Sequence, residues 1–289
     1  DLSAHIRSGI DYFTNYNTNK VAASDIENVF GSYSENMYQF REVNTDFLIM
    51  YNHKFKGPKI DLALNFGGNR MDQYTENLFA SADELAVPDV FNVSNSRVPV
   101  RATQRNTQKR INSLYFSGQV AWKSALFLDF TGRNDWSSTL PKDNWSYFYP
   151  SVSLSGVITD LYDNKSKWFS YAKLRISWAR VGSDTDPYSL YPTVSFGDGW
   201  SASTKLLNLF IPNELPNANL KPQFTTSLEV GGDFRFFQNR VSLDLTYYDS
   251  RTTDQILVAP ISGASGYNTM RINAGEITNK GIEAQLGAT

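Results

Sequence analysis

Imidazole and thiol chemistry have little to work with in this sequence. His5 and His53 are its only histidines, and it has no cysteine. Zinc–thiolate sites, iron–sulfur clusters, thiol nucleophiles and disulfides are therefore excluded. The two histidines fall on separate strand-like segments. His5 sits in a polar phase near Arg7 and Asp11, which suits a wall-lining or interface role better than that of a ligand or base. The segment "SDTDPYS" (183–189) carries an Asp-x-Asp pair but lacks the Gly and closing Glu of a calcium loop. Loop calcium is the one cofactor it leaves open. "NFGGNR" (65–70) and "ISGASG" (261–266) lack the spacing and the strand-to-helix setting of a phosphate loop, and read as a strand end and a turn. No Ser–His–Asp or paired-carboxylate arrangement stands out. The expectation is a protein that is not an enzyme, with no catalytic residue and no metal site.

Two groups of residues could instead touch a ligand or a partner. Trp136, Trp145, Tyr188, Tyr191 and Trp200 lie in or beside long connecting segments. Rings exposed there stack on sugar faces or hold peptide side chains; the alternative is that they pack the loops together. Arg175, Arg180, Glu229, Asp233 and Arg235 form a charged set on strand-like segments and are expected to line an interior.

The elements that position both groups are strands. "VSLDLTYYDS" puts Val241, Leu243, Leu245 and Tyr247 in one phase and Ser242, Asp244, Thr246 and Tyr248 in the other. Period two means one oily face and one wet face. The pattern recurs in ten segments, at about 3–14, 41–54, 59–70, 109–121, 124–134, 147–159, 171–183, 223–236, 241–252 and 271–286. Most run about 11–14 residues, against roughly 5–6 in soluble proteins and the roughly 9–11 of a tilted bilayer-crossing strand. Connections alternate. Turns at 56–59, 123–125 and 238–240 are tight and 160–170 is moderate, while links near 15–40, 71–108, 135–146, 184–222 and 253–270 are long. Short turns on one side and long loops on the other is the arrangement of an outer-membrane barrel.

Aromatics gather at both ends of these segments. Phe55, Trp122, Trp168, Phe169, Phe236 and Phe237 lie by the short turns; Tyr12, Trp136, Tyr147, Tyr149 and Tyr247 lie toward the long loops. Amphipathic rings favour the two headgroup regions. In 223–236 and 241–249 the apolar phase is free of charge until Asp249, while Glu229, Asp233, Arg235 and Asp244 all take the other phase. The oily face is expected to meet lipid. With net charge −2 no basic footprint argues for nucleic acid, and no apolar run approaches the roughly 18–20 residues of a membrane helix. The first residues show no signal peptide, so the reading is a processed chain or an internal piece of a longer one.

Four stretches, in order, resemble one family: "GRNDWSSTLP" with "YFYPSVSLSG" (132–156), "AKLRISWARVGSD" (172–184), "NANLKPQFTTSLEVGGDFRFFQNRVSLDLTYYDSRTTDQIL" (217–257) and "RINAGEITNKGIEAQL" (271–286). They are similar to the barrel of SusC/RagA-type TonB-dependent transporters of Bacteroidota. The resemblance implies an all-β antiparallel transmembrane β-barrel of 22 strands, of which residues 1–289 supply about ten, with the plug domain and TonB box outside this chain. It implies the bacterial outer membrane, import of a glycan or oligopeptide, a SusD-like lipoprotein over the mouth, TonB contact through the plug, and a homodimer of the pair. A passive porin or secretion-associated barrel, and a soluble β-sandwich adhesin or carbohydrate-binding module, are the rival readings.

Overall fold

The computed structural model describes residues 1–24, 28–162, 166, 168–200 and 207–289, with backbone alone at 195, 197–200 and 207–208. Ten long strands form one antiparallel sheet: β1 (Leu2–Val21), β2 (Ser32–Phe55), β3 (Ile60–Ala82), β4 (Arg101–Trp122), β5 (Leu126–Ser137), β6 (Ser146–Val157), β7 (Phe169–Ser183), β11 (Gln223–Phe236), β12 (Val241–Thr253) and β15 (Glu276–Ala288). They lie side by side in that order. Two small sheets occupy the long loops. β8 (Ser195–Trp200) pairs with β9 (Leu207–Phe210), and β10 (Glu214–Leu215), β14 (Thr269–Asn273) and β13 (Ile256–Pro260) form a three-stranded patch. Among the described residues no helix is long and apolar enough to cross a membrane.

The register settles which side chains share a face. Phe234, Val230 and Leu228 stand beside Leu243, Tyr247 and Asp249 of β12, and beside Ala172, Ile176 and Trp178 of β7. The same row system continues through Val152 and Leu154 of β6, Leu128 and Phe130 of β5, Phe116 and Val120 of β4, Leu62, Leu64 and Phe66 of β3, and Phe47 and Ile49 of β2. Many of these side chains are exposed, among them Phe66, Phe116, Leu154, Ile176 and Val230. An apolar surface that runs across ten strands is far larger than a soluble monomer leaves bare. Hydrocarbon is the solvent it fits, and closed barrels are the sheets that lipid tolerates.

One edge of the sheet is closed by tight turns. Lys123 and Ser124 both adopt positive φ (52° and 54°), the conformation a two-residue hairpin needs to match strand twist. Phe237, Gln238 and Asn239 do the same below β11. Beside that edge Trp168 stacks with Phe236 at a ring-centroid distance of 6.3 Å, Phe169 lies tilted against it at 5.4 Å, and Phe55 meets the His53 ring edge-on at 4.3 Å. His53 therefore belongs to an aromatic band on the outward face.

At the other edge the expected strand lengths fall short. β1 to β4 run 20, 24, 23 and 22 residues. The supposed links at 15–40 and 71–108 are mostly strand, and their loops shrink to 22–31 and 83–100. Gly67 and Gly68 lie inside β3 rather than at its end. The segment expected as one strand at 271–286 is two. Gly275, at φ +82°, turns the chain out of the loop sheet and into the wall.

Candidate functional site

The inward face is where charge accumulates. Arg175 of β7 reaches across β11 to β12, where its Nη1 and Nη2 donate to the Asp244 carboxylate at 3.0 and 2.8 Å and Nη2 donates to Thr246 Oγ1 at 2.6 Å. The crossing is possible because Gly231 lies beneath it: a Cβ at that position would stand 2.6 Å from Arg175 Nε. Arg235 Nη2 donates to Asp233 at 3.2 Å, and its guanidinium lies 4.8 Å over the Tyr171 ring. Glu229 is in the same phase, exposed, with no side-chain hydrogen bond among the described residues. Farther round the wall Arg133 donates to Asp135 at 2.7 Å and to Ser113 at 2.9 Å, and Tyr149 donates to Asp135 at 2.6 Å. Arg7 bonds Asp46, and Gln119 bonds Asp129 at 2.6 Å. Such cross-strand pairs fix register while leaving ionised groups facing water.

Gly231→Leu tests the reach of Arg175. A larger side chain must displace the guanidinium and leave Asp244 facing β12 alone. The expected outcome is about 1–3 kcal/mol of lost stability for the full-length barrel in urea titration from lipid. Gly231→Ser, whose hydroxyl can replace a bond, should lose less. Equal loss in both would count against the bridge.

Arg180 departs from the charged set. It pairs with Thr226 and lies in the phase of Leu174, Ile176 and Trp178, so it points outward, not into the interior. Its guanidinium stacks 3.7 Å over the Phe224 ring. Its position at the long-loop end explains how the charge is accommodated: the arginine stands at the headgroup level, where cations anchor.

The loop aromatics divide. Trp136 lies in β5 opposite Asn112 and Ser146, on the outward face, so it belongs with the aromatic band and does not line the mouth. Trp145 is exposed just before β6, at its long-loop end, and its carbonyl accepts from Ser137 N–H at 3.0 Å. Tyr188, at φ 63°, accepts a hydrogen bond from Gln108 N–H at 3.2 Å, which satisfies the edge of β4 above its pairing with β5. Tyr191 is exposed. The side chain of Trp200 lies outside the described residues. No ring contact joins these aromatics among the described residues.

What the sequence did not indicate is how the long loops are tied down. Asp184 receives Lys109 Nζ at 2.8 Å on one oxygen, and the hydroxyls of Ser137 (2.5 Å) and Thr139 (3.1 Å) on the other. Ser137 is fully buried. Of the Asp-x-Asp pair, Asp184 thus faces a lysine, while Asp186 stays exposed, 3.6 Å from Arg271. Arg271 of β14 also donates from Nε to Glu214 at 2.7 Å and from Nη1 to Thr185 at 3.1 Å. The Glu214 bond holds its guanidinium above the ordinary arginine range against the opposing effect of burial. Leu220 is buried against Leu140 and Tyr147, with Leu190 and Ile256 packed around them. The partners stand dozens of residues apart in sequence, so no local spacing signals them.

Comparison with known proteins agrees with this geometry. The family described as "TonB dependent receptor-like, beta-barrel" matches residues 1–289. TonB-dependent receptor P26 of Formosa agariphila is 31% identical over 209 residues, which cover 68% of this chain and 20% of that receptor. TonB-dependent receptor SusC of Bacteroides thetaiotaomicron is 29% identical over 175 residues, covering 55% of this chain and 16% of SusC. The chain spans about a fifth of the length of the curated relatives it matches. The solved RagAB peptide transporter superposes with a TM-score of 0.85 at 20% identity, over 99% of this chain and 32% of that one, a likeness of fold. Matched along its whole length, and built as ten antiparallel strands with one apolar and one polar face, this chain belongs to the TonB-dependent receptor-like β-barrels of the outer membrane.

Proposed function

We propose that the chain is a wall segment of a TonB-energised importer that carries a glycan or an oligopeptide into the periplasm. The observation that supports this reading most directly is the pairing of a self-bonded polar inner face with long loops anchored along one edge, in a family whose relatives are named for TonB dependence. In it, a plug domain outside this chain fills the interior and docks on Arg175, Glu229, Asp233 and Arg235. A SusD-like lipoprotein covers the extracellular mouth, where Trp145 and Tyr191 meet it or the cargo, and the pair doubles into a dimer. TonB pulls on the plug from the periplasm, and no covalent bond of the cargo is made or broken. An oligopeptide cargo has the fold likeness to the RagAB peptide transporter in its favour; a glycan cargo has in its favour exposed loop rings such as Tyr191, which can stack on sugar faces.

The test uses the full-length gene in its native host. Uptake of labelled oligosaccharide and oligopeptide mixtures is compared in wild type, a deletion of the gene and a deletion of TonB. Loss of uptake of one class in both deletions is the expected result. Uptake that survives loss of TonB would make the barrel a passive pore and overturn the reading.

A further inference from the structure

The outward face carries its charges unevenly, and one sector has a built cavity. In β12 and β15 they pair one to one: Lys280 with Asp249 at 2.9 Å, and Arg251 with Glu276. In β2 to β4 they do not. Register places Thr45, Arg70 and Asn112 in one outward row, Val43, Asp72 and Arg110 in the next, and Arg41, Tyr74 and Gln108 above them. Asp72 alone receives two guanidiniums, Arg70 at 2.7 Å and Arg110. Arg41 lies 5.5 Å over the Tyr74 ring and makes no ion pair among the described residues. Glu76, one outward position higher, is taken by Gln104 at 2.6 Å and Tyr74 at 3.3 Å. Within these rows three guanidiniums face two carboxylates, both already engaged; the other outward carboxylate of β2 to β4, Glu35, lies three outward positions above Arg41 and accepts from Tyr33 at 2.8 Å. A cavity of about 600 Å³ opens between Arg41, Arg110 and Tyr74, roofed by Tyr188 and floored by Val43.

Its height identifies its ligand. The outward phase of β3 runs from Ile60 to Arg70 without an ionised side chain, close to the roughly 9–11 residues of a bilayer-crossing strand. The arginines therefore begin at the upper headgroup level. Directly beneath them Phe66, Leu114, Phe116 and Ile49 are exposed, an apron for acyl chains. A guanidinium fork matches phosphate oxygens two at a time. We propose that this sector binds the phosphate of an outer-leaflet glycolipid, the headgroup in the Arg41–Arg110 cavity and the acyl chains on the apolar apron below. The inference needs only the outer-membrane setting and goes beyond the transport reading, so either can fail alone.

The test is retention of lipid by the full-length transporter, purified in neutral detergent and analysed by native mass spectrometry. The probes are phosphorylated lipid A, the same lipid dephosphorylated, and inorganic phosphate alone. Wild type is expected to retain the phosphorylated form about tenfold better than the dephosphorylated form. R41Q/R110Q should erase that preference, and R251Q, whose arginine is paired elsewhere on the same face, should keep it. Should the double variant fail to show heat-modifiable mobility, R41Q carries the test, because Arg41 has no ion pair to orphan. No preference in wild type, or a preference that survives in the arginine variants, overturns the proposal. So does displacement by inorganic phosphate alone, which would make the site a free-anion site. Loss of a dimer at unchanged lipid retention would assign the patch to a second copy, and overturns it too.

Discussion

Asp184→Ala is expected to release the 184–222 loop from the wall at a cost of about 3–5 kcal/mol. Lys109 and Asp184 side chains are only 19% and 11% exposed, so removing the carboxylate strands an ammonium away from water. It also leaves the buried Ser137 and Thr139 hydroxyls without their acceptor. Hydrogen exchange on the full-length transporter reads the result: protection should fall at Tyr188, Leu190 and Leu220 and stay unchanged in β11 and β12. Lys109→Met combined with Asp184→Ala should recover much of the loss, because a buried pair replaced whole is far cheaper than one broken. Unaltered protection in the single variant would show that the node does not anchor the loop.

Val230→Arg is expected to cost about 2–4 kcal/mol of membrane stability. Val230 is outward, exposed, and flanked by Ile176 and Tyr247. From Phe236 to Phe224 the outward phase of β11 itself carries no ionised side chain, and Val230 lies at its middle. A guanidinium there must drag water inward or climb one row to Asp249, which Lys280 already engages. Ser177→Arg is the matched control: it lies on the inward face opposite Glu229 and should cost little or nothing. The measurement is the urea midpoint of the full-length barrel refolded into vesicles, with the assembled fraction in cells as a second readout. Equal penalties at 230 and 177 would mean that both faces meet the same medium.

The sequence made the wall legible and its upper reaches obscure, for one physical reason. Within the bilayer the two phases meet different solvents, so composition alternates and the strands announce themselves. Above it both phases meet water. "ATQRNTQKR" (102–110) then shows no period, although its backbone pairs with β3 throughout. Hydrogen bonding carries those strands on after the pattern ends. The same limit explains the site. Arg175, Glu229, Asp233 and Arg235 were readable as inward because their parity opposes Leu228 and Ile176. Arg180, expected inside with them, shares the parity of Trp178 and so faces outward. Trp136 was assigned to the mouth by proximity to a loop, yet its parity with Leu128 and Phe130 turns it to lipid. The Asp184 node left no trace because tertiary folding alone unites Lys109, Ser137 and Asp184.

β1 to β4 continue well past the level of Arg70, while β5 stops at Ser137 and β7 at Ser183. From Arg70 to Ala82 alone the strand climbs roughly 3.3 Å per residue. The rim of this wall is therefore cut obliquely, like a quill, with a parapet on one flank and a low sill on the other. On the sill side the height that strand supplies elsewhere is left to the loop residues that Asp184 ties to Lys109 and Ser137.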